Sequence, residues 1–201
     1  MAELVEQCKE LVASAMKDGI YQASIKVLGQ YGFEGMTMDR VAEGAGISKG
    51  SLYNYFRNKQ ELVHFIFDKT VEPASQKADE IIARPVPALE KLESILRLWF
   101  EHFVTERGMF DFLFKDPTAR GLLASAERIH HVQAIEKFRT IFQQAVSEGA
   151  FRQIDTTQVA EVFFGAVKSV IEHQIDLGED RPVDESVDLL MNVFLHGLER
   201  R

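Results

Sequence analysis

Cysteine is nearly absent from this chain of 201 residues, which contains only Cys8. One cysteine excludes an intramolecular disulfide framework and a cysteine-based zinc finger, and it fits a reducing compartment. No stretch approaches the roughly 18 consecutive apolar residues that a membrane span requires. The N-terminus carries acidic residues where a signal peptide would carry positive charge. The sequence therefore predicts a cytoplasmic protein with no membrane partner.

Recognisable catalytic and metal-binding motifs are also missing. The sequence contains no P-loop, no Gly-x-Ser-x-Gly elbow, no His-Glu-x-x-His and no glycine fingerprint after a strand. The adjacent His130 and His131 point to different faces of a helix, and no carboxylate or cysteine completes a metal-ligand spacing around them. We therefore expect a protein that is not an enzyme and that holds neither a metal nor a cofactor.

Positive charge is scarce overall, since the net charge is −8, but it is unevenly distributed. Residues 1–70 carry eight basic and nine acidic residues, whereas residues 71–201 carry 15 and 22. Between residues 36 and 60 the balance reverses, with four basic residues against two acidic ones. A local basic excess is what phosphate neutralisation needs, so the acidic total does not exclude DNA as a partner.

Apolar residues recur at helical spacing along nearly the whole chain, and alternating β-branched runs are absent. The spacing predicts an all-α protein. The expected helices cover about 3–31, a short helix after Thr37 that breaks at Gly46, a third from Ser48 through Phe56, a fourth from Asn58, and then 88–106, 109–115, 119–148, 156–177 and 184–199.

Three prolines, Pro73, Pro85 and Pro87, predict kinks or breaks after the fourth helix, because proline lacks the backbone N–H and clashes with the preceding turn. They suggest two domains. Residues 1–70 would form an N-terminal extension and a three-helix module, and residues 71–201 a larger helical domain.

The segment TMDRVAEGAGISKGSLYNYFRNKQEL, residues 37–62, has the form of a helix-turn-helix, with a short helix, a glycine-containing turn and a second short helix. Small residues at the turn allow close helix approach, and four apolar residues can bury the inner faces: Val41, Ile47, Leu52 and Phe56. Hydroxyl, amide and ammonium groups remain for phosphates and base edges. The predicted DNA contacts are Thr37, Ser48, Lys49, Gly50, Ser51, Tyr53, Asn54, Tyr55 and Lys59.

Simpler roles are open for several of these residues. Tyr53 and Tyr55 can pack against a neighbouring helix, and Thr37 can do no more than cap its helix. Arg57 and Lys59 can be ordinary solvated charges. Capping and phosphate contact are compatible, so Thr37 can serve both purposes.

Residues 23–63 resemble the TetR family of bacterial repressors. The resemblance rests on the Gly-Phe-x-x-x-Thr entry, the Val-Ala pair, the Gly-Ile-Ser-Lys-Gly-x-Leu-Tyr-x-Tyr-Phe core and the Asn-Lys-x-x-Leu exit, which occur in this order. It implies an N-terminal DNA-binding domain, and a C-terminal ligand-binding and dimerisation domain whose last two long helices form the homodimer. It further implies a double-stranded, palindromic operator and release by a small effector. Residues 1–16 precede the usual family helix, and no role is assigned to them.

The C-terminal part is rich in aromatic rings, most of which must be ordinary core. An apolar pocket between helices would suit an apolar effector, and one of the paired histidines could bind its polar head. On the segments that line the pocket in the family, the candidates are Trp99, Phe103, Phe110, Phe114, His131, Phe138, Phe142, Phe163 and Val167. The sequence thus predicts a ligand-responsive repressor. The alternative is a dimeric helical small-molecule or protein-binding module without DNA-binding activity.

Overall fold

The computed structural model describes residues 1–179 and 181–198. The helices in these residues are α1 (Ala2–Gly35), α2 (Met38–Gly44), α3 (Lys49–Tyr55), α4 (Lys59–Ile82), α5 (Ala88–Thr105), α6 (Arg107–Lys115), α7 (Pro117–Ser147), α8 (Thr156–Leu177) and α9 (Val183–Leu198). The predicted all-α fold is confirmed. The expected end of the last helix, at residue 199, lies outside the described residues.

Glycine and proline affect two of these helices differently. Gly32, the predicted end of the first helix, has a φ of 64° and a ψ of −175°, so α1 kinks there before its last turn. Pro73 does not break the chain's fourth helix, because α4 runs through this residue; the kink that the sequence also allowed there stays a prediction. Proline removes one backbone hydrogen bond, and Thr70 and Ala74 on either side of it are buried. Pro85 and Pro87 do lie between α4 and α5.

The chain divides into two compact units. Unit 1 comprises Met1–Thr70 and Lys115–Leu123, and unit 2 comprises Val71–Phe114 and the described residues from Ala124 onward. The predicted division at residue 70 did not include Lys115–Leu123 in the N-terminal unit. α4 and α7 each contribute residues to both units.

Unit 1 is built on α1, which packs against α2. Gly44 of α2 faces α1, because a Cβ at this position would make ordinary van der Waals contacts, 3.5 Å from Val27 Cγ2 and 3.6 Å from the Ala23 Cβ. Lys115–Leu123 joins this unit through buried Leu123 and through His64, whose Nε2 lies 2.7 Å from a backbone carbonyl oxygen of α7. The core of unit 1 therefore includes a segment distant in sequence.

Unit 2 encloses an aromatic core between α5, α7, α8 and α9. Phe138, Phe142 and Phe163 are fully buried, and the ring centroid of Phe163 lies 4.8 Å from that of Phe138 and 5.4 Å from that of Phe142. Both contacts are edge-to-face, the arrangement that aromatic rings prefer. Phe100 is buried in the same cluster.

A buried lysine connects three helices of unit 2. Lys91 is 6% exposed, and its Nζ donates hydrogen bonds to the Ile82 carbonyl at the end of α4 (2.7 Å) and to Gln144 Oε1 on α7 (2.8 Å). Glu148 accepts the Ala88 backbone N–H at 3.0 Å, which satisfies a free donor at the start of α5. This hydrogen bond, followed by one from Gln144, lowers the pKa of Glu148. Gln144 near the end of α7 and Glu148 just after it thus fix the α4–α5 connection.

Lys91→Met should lower the free energy of unfolding by about 1–3 kcal/mol, because it leaves the Ile82 carbonyl and the Gln144 amide without their buried donor. Urea unfolding followed by circular dichroism measures this. Lys77→Met, at an exposed position of α4, is the matched control and should stay close to the wild type. Equal stability of the two variants would contradict a structural role for Lys91.

Candidate DNA interface and ligand site

Two hydroxyl side chains set the starts of the helices in the helix-turn-helix. Thr37 caps α2 by accepting the Arg40 backbone N–H at 3.3 Å, and Ser48 caps α3 by accepting the Ser51 N–H at 3.1 Å. The hydroxyls of Ser48 and Ser51 also lie 2.8 Å apart. Both caps satisfy backbone donors that a helix start leaves free. The predicted capping role of Thr37 is therefore present in the structure.

The turn between α2 and α3 depends on Gly46, whose φ of 67° favours glycine. The Ile47 backbone N–H donates to the Ala42 carbonyl at 3.0 Å and closes the turn. Leu52 is fully buried and Phe56 is 3% exposed. The inner faces are thus apolar, as the sequence indicated, except that Ile47 is only half-buried.

The outward side of α3 is polar. Ser48, Lys49, Gly50, Tyr53 and Asn54 are exposed, with Tyr53 at 42%. These groups offer hydrogen-bond donors and acceptors of the kinds that contact phosphates and base edges. The structure therefore leaves most of the predicted DNA contacts accessible to solvent.

Tyr55 has a different environment. It is half-buried and lines an open apolar groove with residues of the N-terminal part of α1, among them Val5, Cys8 and Val12. Part of the Tyr55 side chain is therefore packed, which agrees with the simpler role considered for this tyrosine. Its predicted DNA contact stays a prediction.

Lys49 is paired with an acidic residue of the preceding helix. Its Nζ lies 2.6 Å from Asp39 Oδ1, and both side chains are more than half exposed. The hydrogen bond with Asp39 raises the pKa of Lys49, and the charge of the carboxylate acts in the same direction. Sequence reasoning did not single out Asp39, because residues ten apart on two different helices meet only once the turn is formed.

Lys59 is tied to the end of α1. Its Nζ donates to the Phe33 carbonyl at 2.5 Å and lies 3.8 Å from the centre of the Phe33 ring. Partial burial lowers its pKa, while the negative charges of Asp116 and Glu34 oppose that shift. An ammonium has three donors, so a phosphate contact by Lys59 stays a prediction beside this observed structural role.

Arg40 ties α2 to the end of α1, as Lys59 does for α4. Its Nη1 donates to the Gly35 carbonyl at 2.6 Å, and its guanidinium lies 4.3 Å from the centre of the Tyr31 ring. Two of the four basic residues between 36 and 60 therefore hold α2 and α4 against the end of α1.

The ligand candidates of unit 2 fall into two ring groups. In the first, Phe138, Phe142, Phe163 and Val167 are fully buried core residues. Half-buried Trp99 and His131 lie at its edge, where both contact Phe164, a ring that the sequence did not select. The centroid distances to Phe164 are 6.0 Å from Trp99 and 4.9 Å from His131.

The second ring group contains Phe103, Phe110 and Phe114. Phe110 lies 5.5 Å from Phe103 and 6.4 Å from Phe114 between ring centres. Two cations adjoin these rings, with Arg107 5.0 Å from the Phe103 centroid and Lys168 5.7 Å from that of Phe114. Phe103 is buried, whereas Phe110 and Phe114 are half-buried.

Arg107 connects the second ring group to the end of α8. It donates to the Gln174 carbonyl at 2.7 Å and to Asp111 Oδ1 at 3.0 Å. The buried Gln174 side chain donates in turn to Ser186 Oγ on α9 at 3.1 Å. A continuous set of hydrogen bonds thus joins α6, α8 and α9.

Within the described residues, no group of three or more potential metal-binding side chains is present, and no helix is long and apolar enough to span a membrane.

Comparison with known proteins identifies the N-terminal region. The family model for bacterial regulatory proteins of the tetR family matches residues 20–66. The HTH-type transcriptional regulator YhgD of Bacillus subtilis (strain 168) is 28% identical over 145 residues, which cover 71% of this chain and 75% of that protein. The HTH-type transcriptional repressor KstR2 of Mycolicibacterium smegmatis is 24% identical over 144 residues, 69% of each chain.

A solved structure extends the similarity to the whole fold. The transcriptional regulator FadR of Bacillus subtilis, in complex with stearoyl-CoA, superposes with a TM-score of 0.74 at 15% identity, over 89% of this chain and 97% of that chain. Members of the family are transcriptional regulators and not enzymes, which agrees with the prediction of a non-enzymatic protein. Residues 20–66 therefore form a domain of the tetR family of bacterial regulatory proteins, and the rest of the chain is similar in fold to solved regulators.

Proposed function

We propose that the protein is a homodimeric repressor that binds a palindromic operator and leaves it when a small apolar effector occupies unit 2. The observation that carries this proposal is the exposed polar side of α3, held outward by buried Leu52 and Phe56. Its predicted contacts are the nine residues named from the sequence. Since its target is the bacterial chromosome, we expect it to act in the cytoplasm.

The homodimer is supported by apolar side chains on the two C-terminal helices. Val162 on α8 is 64% exposed, and Leu189 and Val193 on α9 are 42% and 62% exposed. α8 and α9 contact each other, and exposed large apolar residues on neighbouring helices are a feature of protein interfaces. A two-fold dimer would present two copies of α3 about 34–36 Å apart, the spacing of successive major grooves on one side of a duplex.

The effector is proposed to bind at the two ring groups. Trp99, His131, Phe110 and Phe114 are half-buried beside fully buried rings, an arrangement that combines apolar surface with access. A structural neighbour was solved with stearoyl-CoA, which makes a long acyl chain the first effector to test. His131 and Lys168 would bind the polar end of such a molecule.

Lys49→Gln and Tyr53→Ala should each weaken operator binding at least about tenfold, or about 1.4 kcal/mol, because each removes a side chain from the reading surface. Fluorescence anisotropy with DNA from upstream of the protein's own gene measures this. Lys26→Gln, an exposed lysine of α1, is the control and should bind like the wild type. Salt-insensitive binding, or no binding below micromolar concentration, would instead favour a dimeric module without DNA-binding activity.

Val162→Glu should convert the dimer to a monomer, because it places a charge in the proposed apolar interface. Light scattering coupled to size exclusion gives the mass directly. Val12→Glu is matched in residue type and in exposure, at 62% on α1, and should remain dimeric. A Val162→Glu variant that stays dimeric would place the interface elsewhere.

Effector binding should change the fluorescence of Trp99, the only tryptophan of the chain, and should release the operator over the same concentration range. Stearoyl-CoA and stearate are the probes, and free coenzyme A is the control for the apolar chain. Trp99→Phe removes the signal but should retain operator release. Release by coenzyme A alone would argue against an apolar effector.

A further inference from the structure

The surface proposed to face DNA contains a carboxylate at its centre. Asp39, in the first turn of α2, bonds to Lys49, the first residue of α3, at 2.6 Å. Thr37 and Ser48, which are both predicted DNA contacts, cap the same two helices. Asp39 therefore lies among the predicted contacts, although a negative charge there repels phosphate.

Stability does not explain this ion pair. The Lys49 and Asp39 side chains are 58% and 65% exposed, and pairs as exposed as this contribute little to folding. The turn is already fixed by Gly46, by its backbone hydrogen bonds and by buried Leu52. The pair can therefore be given up for another partner of Lys49 at little cost in stability.

The partner of Lys49 is a side chain, whereas Arg40 and Lys59 bind backbone atoms. Arg40 and Lys59 bind backbone carbonyls at the end of α1, and separating them from those carbonyls would loosen α2 and α4. The bond between Lys49 and Asp39 can be exchanged for a bond to DNA without disturbing the core. Lys49 is thus an exposed cation that can change its partner without a change in the fold.

We propose that Asp39 is a specificity-determining residue that reduces binding to DNA of the wrong sequence. Binding to any duplex depends on phosphate neutralisation by basic residues. At a random sequence, Lys49 must give up Asp39 for a phosphate, and the carboxylate is left beside the backbone. At the operator, contacts to base edges by the rest of α3 offset that loss. The proposal rests on the proposed operator-binding function.

Asp39→Asn tests this directly. The variant should bind a random-sequence duplex about fivefold more tightly than the wild type, the range expected for releasing an exposed ion pair. The slope of log affinity against log salt should stay close to that of the wild type, because Lys49 contacts a phosphate in both proteins. Operator affinity should change less, so the ratio of operator to random-sequence affinity should fall.

Two comparisons separate this mechanism from a general effect of charge. Glu43→Gln removes an exposed acid from the same helix and should leave the affinity ratio nearly unchanged. In a Lys49→Gln background, Asp39→Asn should have little effect, because its partner is gone. The operator is obtained by selection from a random pool with the wild-type protein, and melting curves confirm that each variant is folded.

Each other result overturns the proposal. If Asp39→Asn weakens operator binding and leaves random-sequence binding unchanged, Asp39 itself contacts a base, such as a cytosine amino group. If Glu43→Gln has an equal effect, the overall charge of the surface is responsible. If the wild-type protein binds neither duplex, the proposed DNA-binding function itself is wrong. That result can be distinguished from a failure of the Asp39 proposal, which appears only as a difference between variants.

Discussion

The burial of one side of a seven-residue helix is the constraint on which the DNA-binding surface depends. A helix as short as α3 is not stable alone in water, so its orientation comes from Leu52 and from Phe56, which follows it. With Leu52 directed inward, helical geometry places Gly50 and Asn54 on the opposite side, with Lys49 and Tyr53 between. The polar surface is therefore a consequence of apolar packing against α2 and α4.

Little of the positive charge in this region is available to bind DNA. The net charge of −8 opposes association with DNA, and two of the four local basic residues are engaged with carbonyls at the end of α1. Few cations remain to attract any duplex regardless of sequence. In the proposed complex, neutral donors and acceptors such as Ser48, Tyr53 and Asn54 would therefore act beside the few cations, and they act only at short range. The proposed exchange of Asp39 for DNA by Lys49 would add to the discrimination that such short-range contacts give.

Features that depend on local sequence were predictable. The caps at Thr37 and Ser48, the kink at Gly32 and the approximate bounds of the helices all follow from residues within a few positions of one another. Of the kink or break predicted at Pro73, the break does not occur, because α4 continues through a position flanked by buried Thr70 and Ala74.

Features that depend on distant residues could not be predicted from one sequence. The hydrogen bonds of Lys91, the addition of Lys115–Leu123 to unit 1 and the position of Gly44 against α1 each join segments that periodicity treats separately. The same holds within the helix-turn-helix, where helical spacing indicates that Asp39 is exposed but not that it meets Lys49. In the candidate site, residue types were predictable and partners were not.

The second ring group suggests where occupancy of unit 2 would be sensed. Phe103 lies beneath Arg107, which binds the Gln174 carbonyl near the end of α8, and the Gln174 side chain binds Ser186 on α9. On the proposed function, an effector that moves Phe103 would act on Arg107 and, through it, on the hydrogen bonds between the end of α8 and α9. These two helices carry the exposed apolar residues of the proposed dimer. In the proposed dimer, a change at this junction would alter how the two subunits pair, which is the quantity that the operator's half-site spacing constrains.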